Sequence, residues 1–421
     1  MKIFKFGGAS IRDAASVKRV ASVLRQFPGE DILIVVSAMG KTTNALERLT
    51  QHYLEGHQAE VKAQLEELQN AHLAVVQELF PGQEPSVSKE VEVLFTQLEV
   101  ITQRPPEGHF NEVYDQIVSF GELLSTKIVG HYLHHNEFAN QWLDARRLIR
   151  TDQNHRFARV DWNFTQRLVR ETIRPGQRYI TQGFIGSTDD YRPTTLGREG
   201  SDYTASVLAY VLDAAEVSIW KDVPGVLNGD PKVFEKTQLL RQISYEEAIE
   251  LAYYGASVIH PKTIQPLRQK GIPLRVRSFL APETPGTRIY ANAELDPVIP
   301  CFIRKENQVL LTLATRDLAF IVEDHLSRIY KLFHQYGVRV NLSQNTAVST
   351  SFCINYDPVS VPPLREELSR EFAVQYQPGL CLYTVRHHHL AARERVQAAG
   401  ALLMEQLASH TYQVVINPGD S

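Results

Sequence analysis

Cysteine is scarce in this chain, with Cys301, Cys353 and Cys381 the only three among 421 residues. An odd, sparse set without a Cys-x-x-Cys spacing argues against a disulfide framework and against a thiolate-held metal. The three read as core thiols in a reducing compartment. A surplus of positive charge is also missing. Forty-four Lys and Arg stand against 48 Asp and Glu, a formal net charge of -4, so the chain carries no electrostatic footprint for nucleic acid or an anionic membrane. No apolar run approaches the roughly 20 residues of a membrane span. No signal peptide is read before the first strand, and the expected location is the cytoplasm. What is present is ordinary for a globular protein: 43% hydrophobic and 22% charged residues, in a chain long enough for two or three domains.

The chain opens with a short apolar strand, Phe4–Phe6, that carries Lys5 and runs into Gly7-Gly8. A cation beside bare backbone amides at a strand end can hold a phosphate, although a strand followed by two glycines is also an ordinary turn. A helical pattern from Ala14 to Leu24, which Ser10 or Asp13 can cap, leads to a second buried strand at Ile32–Ser37. This βαβ unit predicts a parallel sheet covered by helices. Helical patterns follow over 44–79 and 90–102, giving a helical insertion at about 45–110 that ends in the break Pro105-Pro106-Glu107-Gly108. Further helices are expected near 114–135, 201–212, 245–254 and 262–269, and strands at 139–144, 178–184, 216–221 and 274–278. Asp296-Pro297 to Pro300 reads as a domain boundary. Beyond it the order is βαββαβ, a split βαβ, with a partial second copy from Gly379: a strand at 380–385, helical sequence through 391–407 and a strand at 412–417.

Several segments carry chemistry. Ser37-Ala38-Met39-Gly40-Lys41-Thr42-Thr43-Asn44 looks like the tail of a P-loop, but the first glycine of that motif falls on Val35, and valine cannot make the turn. What remains is a hydroxyl-rich strand end ahead of a helix, suited to an anion or to simple capping. Gly197-Arg198-Glu199-Gly200-Ser201-Asp202 places an arginine on a glycine-rich loop at a helix start, free to take a carboxylate bidentately. The plain alternative is a capping Ser201 and a solvated Arg198. Lys221 and Asp222 end a strand and continue to Asp230 and Lys232, a set that fits a nucleotide pocket at the carboxyl end of a sheet or a surface turn. His387-His388-His389 lie adjacent, so on a strand their rings alternate faces and do not converge on one ion. His260 reads as a structural residue at a helix start. No metal-ligating residues are expected.

Taken in order, Lys5-Phe6-Gly7-Gly8, Ser37-Ala38-Met39-Gly40 with Thr43-Asn44, Phe120-Gly121-Glu122, Gly197 to Asp202, Trp220-Lys221-Asp222-Val223-Pro224-Gly225 and Gly255-Ala256-Ser257-Val258-Ile259-His260-Pro261 resemble the aspartate kinases of the amino-acid kinase family. The resemblance covers roughly the first 290 residues, and the remainder looks like that family's ACT regulatory region. It implies an α/β amino-acid kinase fold, a mostly parallel central sheet between helical layers, over 1–295. A ferredoxin-like α+β ACT region is implied over 300–421, with one full unit at about 306–377 and a partial second unit at about 378–421. It further implies transfer of the γ-phosphoryl group of ATP, with Mg²⁺, to the side-chain carboxylate of L-aspartate, giving 4-phospho-L-aspartate at the head of lysine, threonine and methionine biosynthesis. On this reading Lys5 and Asp202 are catalytic. Ser37, Thr43, Glu122, Arg198 and Ser201 bind aspartate. Lys5, Gly7, Gly8, Lys221, Asp222, Leu227, Asp230 and Lys232 surround ATP. The ACT region implies a homodimer or higher homo-oligomer and an amino-acid effector, lysine or threonine.

The residues agree with that chemistry. A carboxylate nucleophile is ionised at neutral pH, with a reference pKa of about 3.9, so no general base has to be found. The departures are Ala9 where the family usually has a threonine, Glu199 in place of a glycine, and Leu227, Lys232 and Ser257 at positions that often differ. Two other readings stay open: a kinase for another small carboxylate such as glutamate, and a catalytically silent amino-acid-binding protein on the same fold.

Overall fold

The computed structural model describes residues 1–82, 86–256, 259–317 and 319–419; the Ser257 departure lies outside them. The chain divides into two compact units. The first takes in 1–226, 239–249 and 258–295, and the second 227–238, 250–257 and 296–421.

The first unit is built on a sheet of β1 (Lys2–Phe6), β2 (Ile32–Val36), β3 (Gln141–Leu143), β4 (Tyr179–Gln182), β7 (Glu216–Lys221), β8 (Gln242–Ser244), β9 (Leu274–Ser278) and β10 (Thr287–Tyr290); β5 (Ile185–Ser187) and β6 (Pro193–Thr195) form a separate hairpin. The strand order is β3-β4-β2-β1-β7-β9-β10-β8. Neighbours run parallel except for the β9/β10 pair. All of β2 and all but the first residue of β1 are buried, as expected for strands covered on both faces. The helices are α1 (Ala14–Arg25), α2 (Thr42–Leu54), α3 (Gln58–Leu79), α4 (Ser86–Gln103), α5 (Phe110–Val118), α6 (Phe120–His135), α7 (Ala145–Leu148), α8 (Trp162–Thr172), α9 (Gly200–Leu212), α10 (Tyr245–Tyr254) and α11 (Pro261–Lys270). The insertion is the α3–α4 pair. Its apolar faces, with Val61, Leu68, Val91 and Leu98, join the same core as Ile34 and Leu124. The α9 helix has almost no exposed residue, which its apolar composition on every face demands.

Local details refine the expectations. Asp13 caps α1, accepting from the Ser16 N–H at 2.8 Å. No side chain caps α2, so Thr42, Thr43 and Asn44 do not serve as caps. The 114–135 helix is two helices, interrupted at Ser119. The α8 helix, capped by Asp161, and the strands β8 and β10 carry too few residues of clean periodicity to be read from sequence.

The second unit carries β11 (Cys301–Thr315), α12 (Glu323–Gln335), β12 (Val340–Asn345), β13 (Ser349–Asn355), α13 (Val361–Glu371), β14 (Phe372–Arg386), α14 (Leu390–Gln397), β15 (Ala401–Leu407) and β16 (Thr411–Asn417). They make one antiparallel sheet, ordered β12-β13-β11-β14-β16-β15. The long strands β11 and β14 serve both halves. Leu310–Thr315 pairs with Phe372–Gln377 in the expected βαββαβ half, and Cys301–Lys305 pairs with Leu382–Arg386 in the other. Two expectations are corrected here. Sequence 391–407 is not helical throughout, because the helix stops at Gln397 and β15 follows. Gly400 makes the break, with φ +157° and no room for a Cβ against the Asn417 carbonyl. A division by chain order near 295 also leaves out 227–238. Asn228 accepts from the Phe302 N–H at 2.7 Å and donates to the Pro300 carbonyl at 2.9 Å, and Phe234 packs on Phe302 and Tyr383. The three cysteines are buried and form no disulfide among the described residues. The histidine run is used residue by residue: His389 caps α14 and His388 meets the Ala408 carbonyl.

Candidate active site

Strand β1 lies between β2 and β7, in register with both, Lys5 opposite Val35 and Ile219. The carboxyl ends of all three therefore open at one place, where ligands of parallel sheets bind. Gly8 lets that edge close up: a Cβ there would stand 2.8 Å from the Ala38 carbonyl oxygen and 2.9 Å from that of Gly40, while its own carbonyl accepts from the Gly40 N–H. No other residue fits. At Gly7 a Cβ would stand 3.4 Å from the Lys5 ammonium.

The first turn of α9 supplies Asp202, 2% exposed, between two cations. Its Oδ1 is 2.6 Å from Lys5 Nζ and its Oδ2 3.5 Å from Lys221 Nζ. Burial works against the charge of Asp202, but the two ammonium groups outweigh it and hold the carboxyl below its ordinary range. Two cations and one anion leave this wall with a net positive charge, fixed by a buried ion pair.

The facing groups differ. Glu122, in the first turn of α6, is 2% exposed. Its Oε1 accepts from the Ala38 N–H at 3.2 Å, and its Oε2 is buried without a hydrogen-bond partner among the described residues. Burial pushes its pKa up to about 8, against the pull of the Ala38 N–H and the Lys5 charge. Arg198 is exposed, and among the described residues its guanidinium has no ion pair or hydrogen bond. These two, with Ser37, Thr43 and Ser201, line the same cavity as Lys5, Asp202 and Lys221, with a volume of about 480 Å³. Asp222, exposed, follows directly on β7, and Gly7 and Gly8 follow β1. Leu227, Asp230 and Lys232 fall in the second unit, where Asp230 accepts the Lys232 N–H in a turn.

Glu199 is the departure that the structure explains. It is the N-cap of α9 at φ +52°, and its Oε2 accepts the His260 N–H at 3.0 Å. His260 in turn caps α11, taking the Lys262 N–H on Nδ1. The Glu199 carboxylate is thus turned toward the start of α11.

Other lining residues were not legible: Tyr114, Arg156, Phe157, Phe184 and Thr195. Their organiser is Asp115, fully buried in α5, which accepts from Thr195 Oγ1 at 2.6 Å and the Arg156 N–H at 3.0 Å, and meets His155 Nδ1 at 2.9 Å. Burial raises its pKa despite these bonds. Arg156, at φ +67°, stacks over the Tyr114 ring at 4.4 Å and lies 3.7 Å from Glu47. An acid between the apolar positions Val113, Tyr114, Ile117 and Val118 of α5 was the available signal.

A buried Lys5–Asp202–Lys221 cluster of net positive charge at the carboxyl edge of a parallel sheet is suited to an anionic ligand. The profile of the amino acid kinase family matches residues 1–278, and the chain belongs to that family. Within it the similarity is to aspartokinases. The lysine-sensitive aspartokinase 3 of Escherichia coli strain K12 is 31% identical over 393 residues, 90% of this chain and 85% of that protein. The chloroplastic aspartokinase 2 of Arabidopsis thaliana is 32% identical over 84% of this chain, which spans 66% of that protein. The crystal structure of E. coli aspartokinase III with aspartate and ADP, an R-state, superposes with a TM-score of 0.80 at 28% identity, covering 99% of this chain and 96% of that one. The T-state of the same enzyme, with lysine and aspartate, gives a TM-score of 0.83.

Proposed function

We infer that the chain is an ATP-dependent aspartate kinase that phosphorylates the side-chain carboxylate of L-aspartate. The observation that carries this reading is the pairing, in one cavity, of a fixed cationic corner with two uncommitted groups, the carboxyl of Glu122 and the guanidinium of Arg198. Glu122 Oε2 has no partner and Arg198 has none among the described residues. A free amino acid brings the complement to both, an α-ammonium and a carboxylate. Lys5, oriented by Asp202, meets the transferring phosphoryl group and neutralises the charge that grows on its oxygens. The Gly7 and Gly8 backbone flanks that position. Ser37, Thr43 and Ser201 offer hydroxyls to the substrate carboxylates. The acceptor is already an anion, so catalysis reduces to holding two anions in line and screening their repulsion.

Lys221 and Asp222 are assigned to ATP beside Lys5, and Leu227, Asp230 and Lys232 by the resemblance alone. Both oxygens of Asp202 are taken by lysines. Mg²⁺ is therefore assigned to the nucleotide phosphates, with exposed Asp222 as the carboxylate available to share it. When bound it screens phosphate charge. The ACT region is assigned to an amino-acid effector, lysine first because the E. coli relative is named lysine-sensitive, and to self-association. No helix among the described residues is long and apolar enough to cross a membrane.

The test is ADP release over a panel of amino acids with hydroxylamine trapping of any acyl phosphate, with and without lysine or threonine. Aspartyl hydroxamate formed with L-aspartate alone is the expected product. Equal turnover with glutamate, or no turnover with any amino acid, overturns the reading.

A further inference from the structure

The C-terminal end of α2 closes in a Schellman turn. The His57 N–H donates to the His52 carbonyl at 2.9 Å and the Gly56 N–H to that of Tyr53 at 3.1 Å, with Gly56 at φ +78°. This turn brings the side chain three residues before the cap against the one two residues after it, and an apolar pair normally fills that contact. Here both are imidazoles, His52 and His57, with ring centroids 5.9 Å apart and the cap residue Glu55 between them. One ligand atom from each of the three lies within 4.8 Å of the others.

We propose that His52, Glu55 and His57 form a site for a divalent transition-metal cation of the zinc type. Two imidazoles and one carboxylate are the donor set such ions take, and three protein ligands leave a position for water. The spacing fits. Ligands about 2.1 Å from a tetrahedral zinc stand about 3.4 Å apart, and His57 Nδ1 lies 3.3 Å from Glu55 Oε2. The donor atoms are also available. Gln51 donates to Glu55 Oε1 at 2.9 Å, which leaves Oε2 for the cation. His57 is the N-cap of α3, yet its ring makes no capping bond. His52 carries a buried Nδ1 with no hydrogen-bond partner among the described residues. The carbonyl end of the α2 dipole favours positive charge there. Mg²⁺, which demands octahedral oxygen ligands, does not suit this set, so the site is distinct from the nucleotide's ion. Zinc would pin the end of α2 to the start of α3.

The test titrates ZnCl₂ into the nucleotide-free full chain by calorimetry, for wild type, His57→Gln, the His52→Gln/His57→Gln pair and His388→Ala, with the melting temperature of each read with and without zinc. His57 is about half exposed, so its replacement should leave the fold intact. The expected result is one saturable micromolar equivalent in wild type and in His388→Ala, unaffected by millimolar Mg²⁺. It should weaken at least tenfold in His57→Gln and vanish in the pair, and zinc should raise the melting temperature of wild type but not of the pair. No saturable site in wild type, equal affinity in the pair, or a loss in His388→Ala instead would each overturn the proposal.

Discussion

The two walls of the active-site cavity handle charge in opposite ways. On one, Lys5, Asp202 and Lys221 satisfy each other at 2.6 and 3.5 Å before any ligand arrives. On the other, Glu122 keeps a buried oxygen unpaired and Arg198 has no counter-ion among the described residues. Under the proposed function, the difference follows from what each wall would do. A phosphoryl corner works best when its charges are already in place, since reorganisation at the moment of transfer would add to the barrier. An acceptor wall selects its ligand by leaving groups that only the right zwitterion completes, because a buried polar group left unpaired costs free energy.

The comparison breaks first at Lys5. Lys5→Ala should lower kcat roughly 100- to 1,000-fold, the scale for losing one preorganised electrostatic partner, with the KM for aspartate changed far less; steady-state kinetics at saturating ATP would show it. An intact kcat would remove Lys5 from the phosphoryl corner. Glu122→Gln should act on the other wall, raising the KM for aspartate about 10- to 100-fold with kcat nearly kept. The pH dependence sharpens the same point. With its pKa at about 8, Glu122 is mostly protonated at neutral pH, and the ionised form is the one that takes an ammonium group. The wild-type KM for aspartate should therefore fall as pH rises from about 6.5 to 8.5, by at most about tenfold per unit, and the Gln variant should show a flat profile. Arg198→Lys exchanges a fork for a point charge and should raise the KM for aspartate about tenfold. The smallest effect belongs to Glu199→Gln. Its carboxylate is engaged by the His260 N–H, so the KM should move less than about twofold, the range of a peripheral substitution; a large drop would mean that Glu199 repels substrate.

Sequence pointed to most of the residues that the structure brings to one cavity, because each sits on a short motif with its own mechanical reason: Lys5 before Gly7-Gly8, Arg198 between glycines, Lys221 at a strand end. The roles of Arg156 and Thr195 could not be read from sequence, since their positions depend on Asp115, which is distant in sequence and joins the Arg156 loop to the end of β6 by hydrogen bonds. In the second unit the misreading of 401–407 has a plain cause. Ala-Leu-Leu-Met-Glu-Gln-Leu consists of good helix formers, and pairing along β16 overrides that preference. The placement of 227–238 was equally hidden, because Asn228 and Phe234 find their partners some 70 residues away or more.

Calorimetry of L-aspartate binding at pH 7, repeated in buffers of different ionisation enthalpy, addresses the unpaired wall without relying on turnover. A carboxyl with a pKa of about 8 that must ionise to hold an ammonium group predicts release of close to one proton per site in the wild type, and none in Glu122→Gln. Aspartate binding that is independent of buffer in the wild type, or the same proton release in both proteins, would contradict the account.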